Sequence, residues 1–432
     1  MQERQIGGLL KSASTVALFA AAGLFVGGVA MPSAKAADLG GDCCADLEER
    51  VAELEATTAR KGNRRMSLTV SGQVTRSILY WNSDIKGDSG NSGVYAGLDN
   101  HNQSTRFVFS GSAKISPNVT AGFEFMTELG SAGARTSNVD QSNVDGGAST
   151  DHALAVRTAN WWLEDKNLGR LTVGRINVGG PVGTIDLGGI STVAHFSPNL
   201  AGGGFLVSSG CAPACTLRRF IGPTYGGDRI EGIRYDSPNL GGFVVQGTWG
   251  EDEVWSASLR YAGEFGGFRV AAGIGIQNLD PVNIAGSLDD ATNARGETEW
   301  SGSLALMHVP TGLFAQGHFA RSNYEKGVHN ALQDADAKFW MIQAGISKNW
   351  TGLGNTSFYG EYGRADDQGR GFYANVTDDN VRFWGLGVVQ QIDAAAMELY
   401  LGYRHFETEI NTNVSVPTGD LDLVHGGARI RF

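Results

Sequence analysis

The chain has 432 residues, among them 62 Gly but only 10 Pro and 4 Cys, and its formal net charge is −11. After position 36 no run of about 20 apolar residues occurs, which excludes a bundle of membrane-spanning helices. The 20 Phe, 11 Tyr and 9 Trp exclude a disordered chain, and the acidic balance argues against nucleic acid as a partner.

Residues 1–36 have the form of a secretory signal. Arg4 and Lys11 give a positive start, residues 16–30 are apolar, and Ala34-Lys35-Ala36 is a small-x-small site that places cleavage between Ala36 and Ala37. An uncleaved anchor helix is the competing reading, although the apolar run is short for a span. Losing residues 1–36 removes three cations and one anion and takes the formal charge to −13. Cys43 and Cys44 follow Leu39-Gly40-Gly41-Asp42, which is not a lipidation site. Cross-chain disulfides and free thiols both remain open for this pair.

Residues 37–65 form an N-terminal segment with a short helix. Leu47, Val51, Leu54 and Thr58 make an a/d seam, and Glu48, Glu49, Glu53 and Glu55 lie off it. Two heptads are too few to hold alone, so the seam needs chains already brought together. Gly62 and a basic cluster close the helix.

From Ser67 the period becomes two, and residues 66–432 read as one domain. Leu68, Val70, Gly72 and Val74 alternate with Thr69, Ser71, Gln73 and Thr75. The pattern recurs at Phe107–Ala113, Val119–Phe125, Trp255–Tyr261, Phe268–Ile276, Trp300–Leu306 and Leu399–Tyr403 in pieces of about ten residues, the length of a tilted membrane strand. Short turns near 116–118, 165–169, 237–242, 262–267, 309–312, 351–355 and 392–396 alternate with long polar loops. Those fall near 81–103, 129–152, 176–228, 278–297, 322–337, 365–380 and 407–420, and only the connection near Gly250 is short where a long one is due. The chain stops on Phe432, Ile430, Ala428, Gly426 and Val424 on one face and Arg431, Arg429, Gly427 and His425 on the other. This grammar predicts an all-β, transmembrane antiparallel β-barrel of about 16 strands, with lipid outside and water inside.

Four stretches carry a family resemblance. They are residues 42–64 (Asp42-Cys43-Cys44-Ala45-Asp46-Leu47 onward), Ser67-Leu68-Thr69-Val70-Ser71-Gly72, Gly169-Arg170-Leu171-Thr172-Val173-Gly174-Arg175, and Tyr235-Asp236-Ser237-Pro238-Asn239-Leu240-Gly241-Gly242-Phe243. With terminal Phe432, the chain resembles the general porins of alphaproteobacteria, the rhizobial and Brucella type. The resemblance implies a homotrimer of sixteen-stranded barrels in the outer membrane, passing small hydrophilic solutes and ions by passive diffusion, with no cofactor and no metal. It also implies lipopolysaccharide and other outer-membrane lipids as surroundings, a barrel-assembly machinery that reads Phe432, and peptidoglycan linked through the new N-terminal Ala37-Asp38. That Ala37 is merely what cleavage leaves is the alternative.

Diffusion needs a narrowed water path with fixed charges. The long third loop, residues 176–228, is the candidate constriction, and Asp186 is its carboxylate near the start. A loop that stays outside and packs on neighbouring subunits is the rival. Strand parity puts Arg106, Arg234, Arg260, Arg269, Arg404 and Arg429 on the lumen side with Glu124, Glu361 and Glu398, either at the pore or as solvated wall residues. Arg76, Arg157, Arg321 and Arg382 have ambiguous parity. Cys211 and Cys215 suit a small disulfide ring in an oxidising compartment, with a metal site as the weaker rival. The eight His are scattered, and none stands in a catalytic motif. A sugar- or oligosaccharide-selective channel is the alternative function, with Tyr359 and Trp384 as stacking candidates.

Overall fold

The computed structural model describes residues 66–87, 90–129, 135–136, 139, 154–179, 182–208, 215–221, 229–251, 254–278, 297–324, 334–373, 375–412 and 417–432. The signal segment, the cleavage site Ala36/Ala37, the seam Leu47, Val51 and Leu54, and Cys43, Cys44 and Cys211 lie outside the described residues.

The strands are β1 (Thr69–Gly87), β2 (Gly90–Asp99), β3 (Arg106–Lys114), β4 (Val119–Leu129), β5 (Leu154–Asp165), β6 (Gly169–Asn177), β7 (Leu206–Ser208), β8 (Cys215–Thr216), β9 (Arg229–Asp236), β10 (Phe243–Gly250), β11 (Trp255–Phe265), β12 (Phe268–Asn278), β13 (Glu297–His308), β14 (Leu313–Tyr324), β15 (Ala335–Lys348), β16 (Thr356–Asp366), β17 (Val376–Ile392), β18 (Met397–Thr412) and β19 (Leu421–Arg431). Seventeen of them form one antiparallel sheet that closes on itself where Gln73 to Ser83 of β1 pair with Arg431 to Leu421 of β19. Both β2 and β3 pair with β1, so they are the two halves of one stave, and the barrel has sixteen staves. Closure removes the unpaired edge that lipid would not tolerate. Phe432 completes the seam: Gly72 and Phe432 exchange backbone hydrogen bonds, and the Phe432 ring rests over Gly72, where a Cβ would meet it at 2.7 Å.

Alternation sorts the side chains as expected. Along β10, β11 and β14 exposed or half-buried residues alternate with buried ones, and apart from Arg321 and Asn323 near the end of β14 the outward positions of Phe243–Trp249, Trp255–Gly263 and Leu313–Phe319 are apolar or small. Outward Phe243, Phe265, Phe268, Phe358 and Phe432 lie toward the short-turn end, and outward Trp249, Trp255, Trp300 and Trp340 toward the other. Two aromatic belts of this kind mark the membrane interfaces.

Two features depart from the sequence reading. The first loop is not long: β1 runs on to Gly87 and β2 begins at Gly90, because the inward series Leu79, Trp81, Ser83, Ile85 continues the two-residue period past Tyr80. The polar residues that suggested a loop lie partly on this extension and partly in the break at 100–105, which splits the second stave.

The other departure is inside. The inner faces of β15 and β17–β19, together with β1, carry Phe339, Met341, Val381, Phe383, Phe406, Leu421, Leu423, Leu79 and Trp81, all buried. They pack against Phe205, Val207, Cys215, Leu217 and Phe220 of the third loop. This side of the lumen is therefore a hydrophobic core, with each fully buried large side chain contributing about 1.5–3 kcal/mol.

Candidate functional site: an inward loop and the wall it faces

After β6 the chain turns into the barrel and follows the inner wall strand by strand. The Gly179 N–H donates to Ser256 Oγ on β11 at 2.9 Å. Ser303 on β13 donates to the Val182 carbonyl. The Leu187 N–H donates to Gln316 Oε1 on β14 at 3.1 Å, and Gln343 Nε2 on β15 donates to the Ala194 carbonyl at 2.9 Å. Ser357 on β16 donates to the Gly188 carbonyl at 2.7 Å. The break in the second stave holds the loop from the other side. Asn100 Nδ2 donates to the Thr192 carbonyl at 2.8 Å and Asn102 Nδ2 to the Val193 carbonyl at 3.3 Å. Amides that leave strand geometry thus supply the donors that the loop's carbonyls need once buried.

Asp186 serves the loop's own backbone. Its carboxylate accepts the N–H groups of Gly189 (2.9 Å), Ile190 (2.8 Å) and Ser191 (2.7 Å), and Gln316 Nε2 at 3.4 Å. Burial pushes its carboxyl above the usual range even against these donors. Beyond it His195 Nδ1 accepts the Ser197 N–H at 3.1 Å, and its ring lies 4.1 Å from that of Phe196. Burial, and then the nearby His101, Arg404, Arg157 and His318, hold the His195 imidazole well below its ordinary pKa.

Several lumen-side charges lie under the loop as buried pairs. Arg404 Nε donates to Glu361 Oε1 at 2.7 Å, and Arg404 Nη1 donates to the Pro198 carbonyl at 3.1 Å. Arg429 grips Glu398 with two bonds of 2.8 and 2.6 Å, Arg431 adds a third at 2.8 Å, and Thr192 of the loop donates to the same carboxylate at 2.7 Å. Arg106 donates to Gln103 at 2.8 Å within the strand break.

A different set lies on the wall away from these contacts. Arg234 of β9 and Arg260 of β11 both bind Asp236, each at 2.9 Å. Arg170 of β6 pairs in register with Asp236 and stacks 4.2 Å over the Trp162 ring. Glu124 accepts Thr158 Oγ1 at 3.1 Å. Arg269 lies at the short-turn end with Glu264, 3.1 Å away and exposed.

Sequence reading did not single out Arg170, Asp236 or Trp162, although Arg170 and Asp236 stood inside the quoted motifs; parity alone would have found them. It also missed Glu128, which takes Arg157, Arg135 at 3.4 Å and Ser104 at 2.7 Å in a buried cluster by the strand break. Of the arginines of ambiguous parity, Arg157 occupies a bulge and faces Glu128, whereas Arg76, Arg321 and Arg382 are on the outer face. Tyr359 is buried beneath the loop and Trp384 is on the outer face, so neither belongs to a stacking track in the lumen, because both side chains are spent on packing or on the membrane side. Cys215 is fully buried and disulfide-bonded.

A family model described as Gram-negative porin matches residues 16–411. Among solved structures, the chain is similar to an anion-selective porin from Comamonas acidovorans at 16% identity, TM-score 0.53, covering 85% of this chain and 100% of that one. A loop-deletion mutant of OmpT, an outer membrane protein of Vibrio cholerae, aligns at 14% identity, TM-score 0.51, over 85% and 100%. The outer membrane channel DcaP of Acinetobacter baumannii aligns at 11% identity, TM-score 0.50, over 87% and 100%. At such identities the likeness establishes the fold. Comparison with curated proteins finds no match.

Proposed function

The chain belongs to the Gram-negative porin family and forms an outer-membrane channel, and from that premise we propose that small hydrophilic solutes and ions diffuse between the inward loop and the wall of β4–β11. The observation that carries this reading is the one-sided filling of the lumen. Apolar packing and buried ion pairs occupy the loop's side, while part-exposed Arg170, Arg234, Asp236 and Glu124 line the other, with Arg260 buried beside Asp236. Fixed charges of both signs across a narrowed path suit general diffusion. The family and the fold are those of a channel rather than an enzyme.

The finer assignments rest on the sequence. The motifs at 42–64 and 235–243 support membership of the alphaproteobacterial general porins. Residues 1–36 are assigned as the signal, 37–65 as a periplasmic segment with the seam Leu47, Val51 and Leu54, and Phe432 as the assembly signal. A link from Ala37 to peptidoglycan stays a second role, decided by mass spectrometry of muramidase-digested sacculi. The homotrimer is supported by Arg76, which stands exposed on the outer face of β1 between Val74 and Ile78. An arginine facing lipid at mid-depth costs about 2–4 kcal/mol, and a neighbouring subunit would remove that contact.

The test is a planar-bilayer recording on purified protein. Conductance steps grouped in threes, with a reversal potential set by a salt gradient, are expected. Saturable block by one sugar would instead favour the selective channel.

A further inference from the structure

Among the described residues Arg170 makes no hydrogen bond and no ion pair, although it stands part-exposed on the inner wall. An aromatic face holds it instead: its guanidinium carbon lies 4.2 Å over the Trp162 ring. Trp162 is itself seated on Gly122, its partner in register on β4, where any Cβ would collide with the ring. Stacking uses the flat face of a guanidinium and leaves its in-plane N–H groups able to donate. The wall thus fixes a cation without consuming its donors.

Two carboxylates flank Arg170 in register, and neither is paired with it. Asp236 of β9 is one, but each of its oxygens already serves another guanidinium: Oδ2 accepts Arg234 Nε and Oδ1 accepts Arg260 Nη2, both at 2.9 Å. Glu164 of β5 is the other, exposed and without an ion pair among the described residues. Arg234 pairs in register with Thr172, two residues along β6 from Arg170. The two arginines are therefore diagonal neighbours on one face, about 7–8 Å apart at that spacing. Three guanidinium groups surround one committed carboxylate, and Arg170 and Arg234 border the path.

The geometry points to a subsite for small oxyanions at the short-turn end of this wall, with Arg170 as the gripping fork and Arg234 as the second cation. Carboxylate and phosphate share the required chemistry, two oxygens presented side by side to a planar pair of N–H donors. Trp162 holds the fork in place before the anion arrives, so little side-chain freedom is lost on binding. Glu164 competes for the same donors from the next strand. The inference rests on the channel reading and deepens it by naming the solutes that pause on the path: small carboxylates or phosphates.

The experiment uses the full-length protein in planar bilayers. Inorganic phosphate and, separately, succinate serve as the current-carrying anion, with chloride as reference. Wild type should show conductance that saturates with phosphate or succinate but rises steadily with chloride; phosphate alone saturating would assign the site to phosphates, and succinate alone to carboxylates. Arg170→Gln should raise the half-saturating concentration about tenfold, the loss of one charge-assisted contact. Arg170→Lys keeps the charge without the fork, so it should hold the reversal potential in a chloride gradient yet bind no better than Arg170→Gln. Full saturation in Arg170→Lys would overturn the held fork. Glu164→Gln removes the competitor and should lower the half-saturating concentration about two- to threefold. Because Glu164 is exposed and unpaired, that variant remains readable if the Arg170 variants do not assemble; an unchanged or higher half-saturating concentration in it would count against the site. Steps of normal size that rise linearly with both oxyanions in wild type would overturn the subsite alone. Absence of steps in any salt would overturn the channel reading with it.

Discussion

Arg404 on β18 and Glu361 on β16 meet at 2.7 Å across the strand between them, and the same arginine donates to the Pro198 carbonyl of the inward loop. One ion pair thus joins two staves of the barrel to the inward loop. With side chains 7% and 1% exposed, each is the other's counter-charge, and the Pro198 carbonyl and Gln343 add only neutral partners. Removing one partner strands the other in the interior, at about 3–5 kcal/mol. Arg404→Met should therefore lower the temperature at which the heat-modifiable gel band shifts, and it should raise single-channel conductance because the loop loses its tie. Arg404→Met with Glu361→Met should recover much of the thermal loss while keeping the larger conductance. Equal conductance in all three proteins would separate the pair from the loop's position.

A second prediction concerns the opposite wall. Arg234 and Arg260 converge on Asp236, so replacing both with Gln leaves Asp236 with less counter-charge beside the path. The reversal potential in a salt gradient should move toward cation preference, and the thermal transition should move little. Asp236→Asn should move the potential the other way. Shifts of the same sign in both variants would contradict the placement of this cluster at the path.

Acid should loosen the loop through His195. Its folded pKa lies well below the ordinary 6.5 that it regains when released, so the released state binds more protons over that interval. Stability of the seated loop is then full above about pH 6.5 and falls as pH drops below it. Conductance fluctuations should grow on acidification from neutral pH, and His195→Gln should flatten the dependence. A wild-type profile that is level from pH 7 to pH 5 would sink this account of His195.

Trimer geometry can be read by cross-linking. A cysteine at Val94, exposed on the outer face of β2 opposite Tyr80 of β1, should form bonds between subunits in the outer membrane, whereas one at Leu304, similarly exposed on β13, should not. Cross-links from Leu304 but not Val94 would place the subunit contact on the other side of the barrel.

How much of this was legible in the sequence follows from what each pattern encodes. Period two fixes which face a side chain takes, so the barrel and the inward direction of Arg404, Arg429, Glu361 and Glu398 could be read directly. It does not encode what lies across the lumen, so their burial beneath the loop and the use of Asp186 as a backbone acceptor could not. A signal for the filled half was present and unread: Phe339-Trp340-Met341-Ile342 is apolar on both faces, unlike the alternating Trp255-Ser256-Ala257-Ser258. A strand with two apolar faces needs a second apolar partner, and here that partner is the loop. The stretch 81–103 reads as a long loop because its amides resemble turn residues, yet the Asn100 and Asn102 amides are donors committed to the inward loop's carbonyls.

The account stands most directly on the size of the pore. Phe205, Val207, Cys215, Leu217, Phe220 and Ile221 carry the loop's packing on the wall of β15 and β17–β19, and replacing residues 198–221 with a short Gly/Ser linker leaves every stave of the barrel intact. Single-channel conductance and the exclusion limit for neutral polymers should be measured side by side for this variant and wild type. The account predicts larger conductance steps and entry of larger polymers in the variant. Unchanged steps with an unchanged exclusion limit would contradict it.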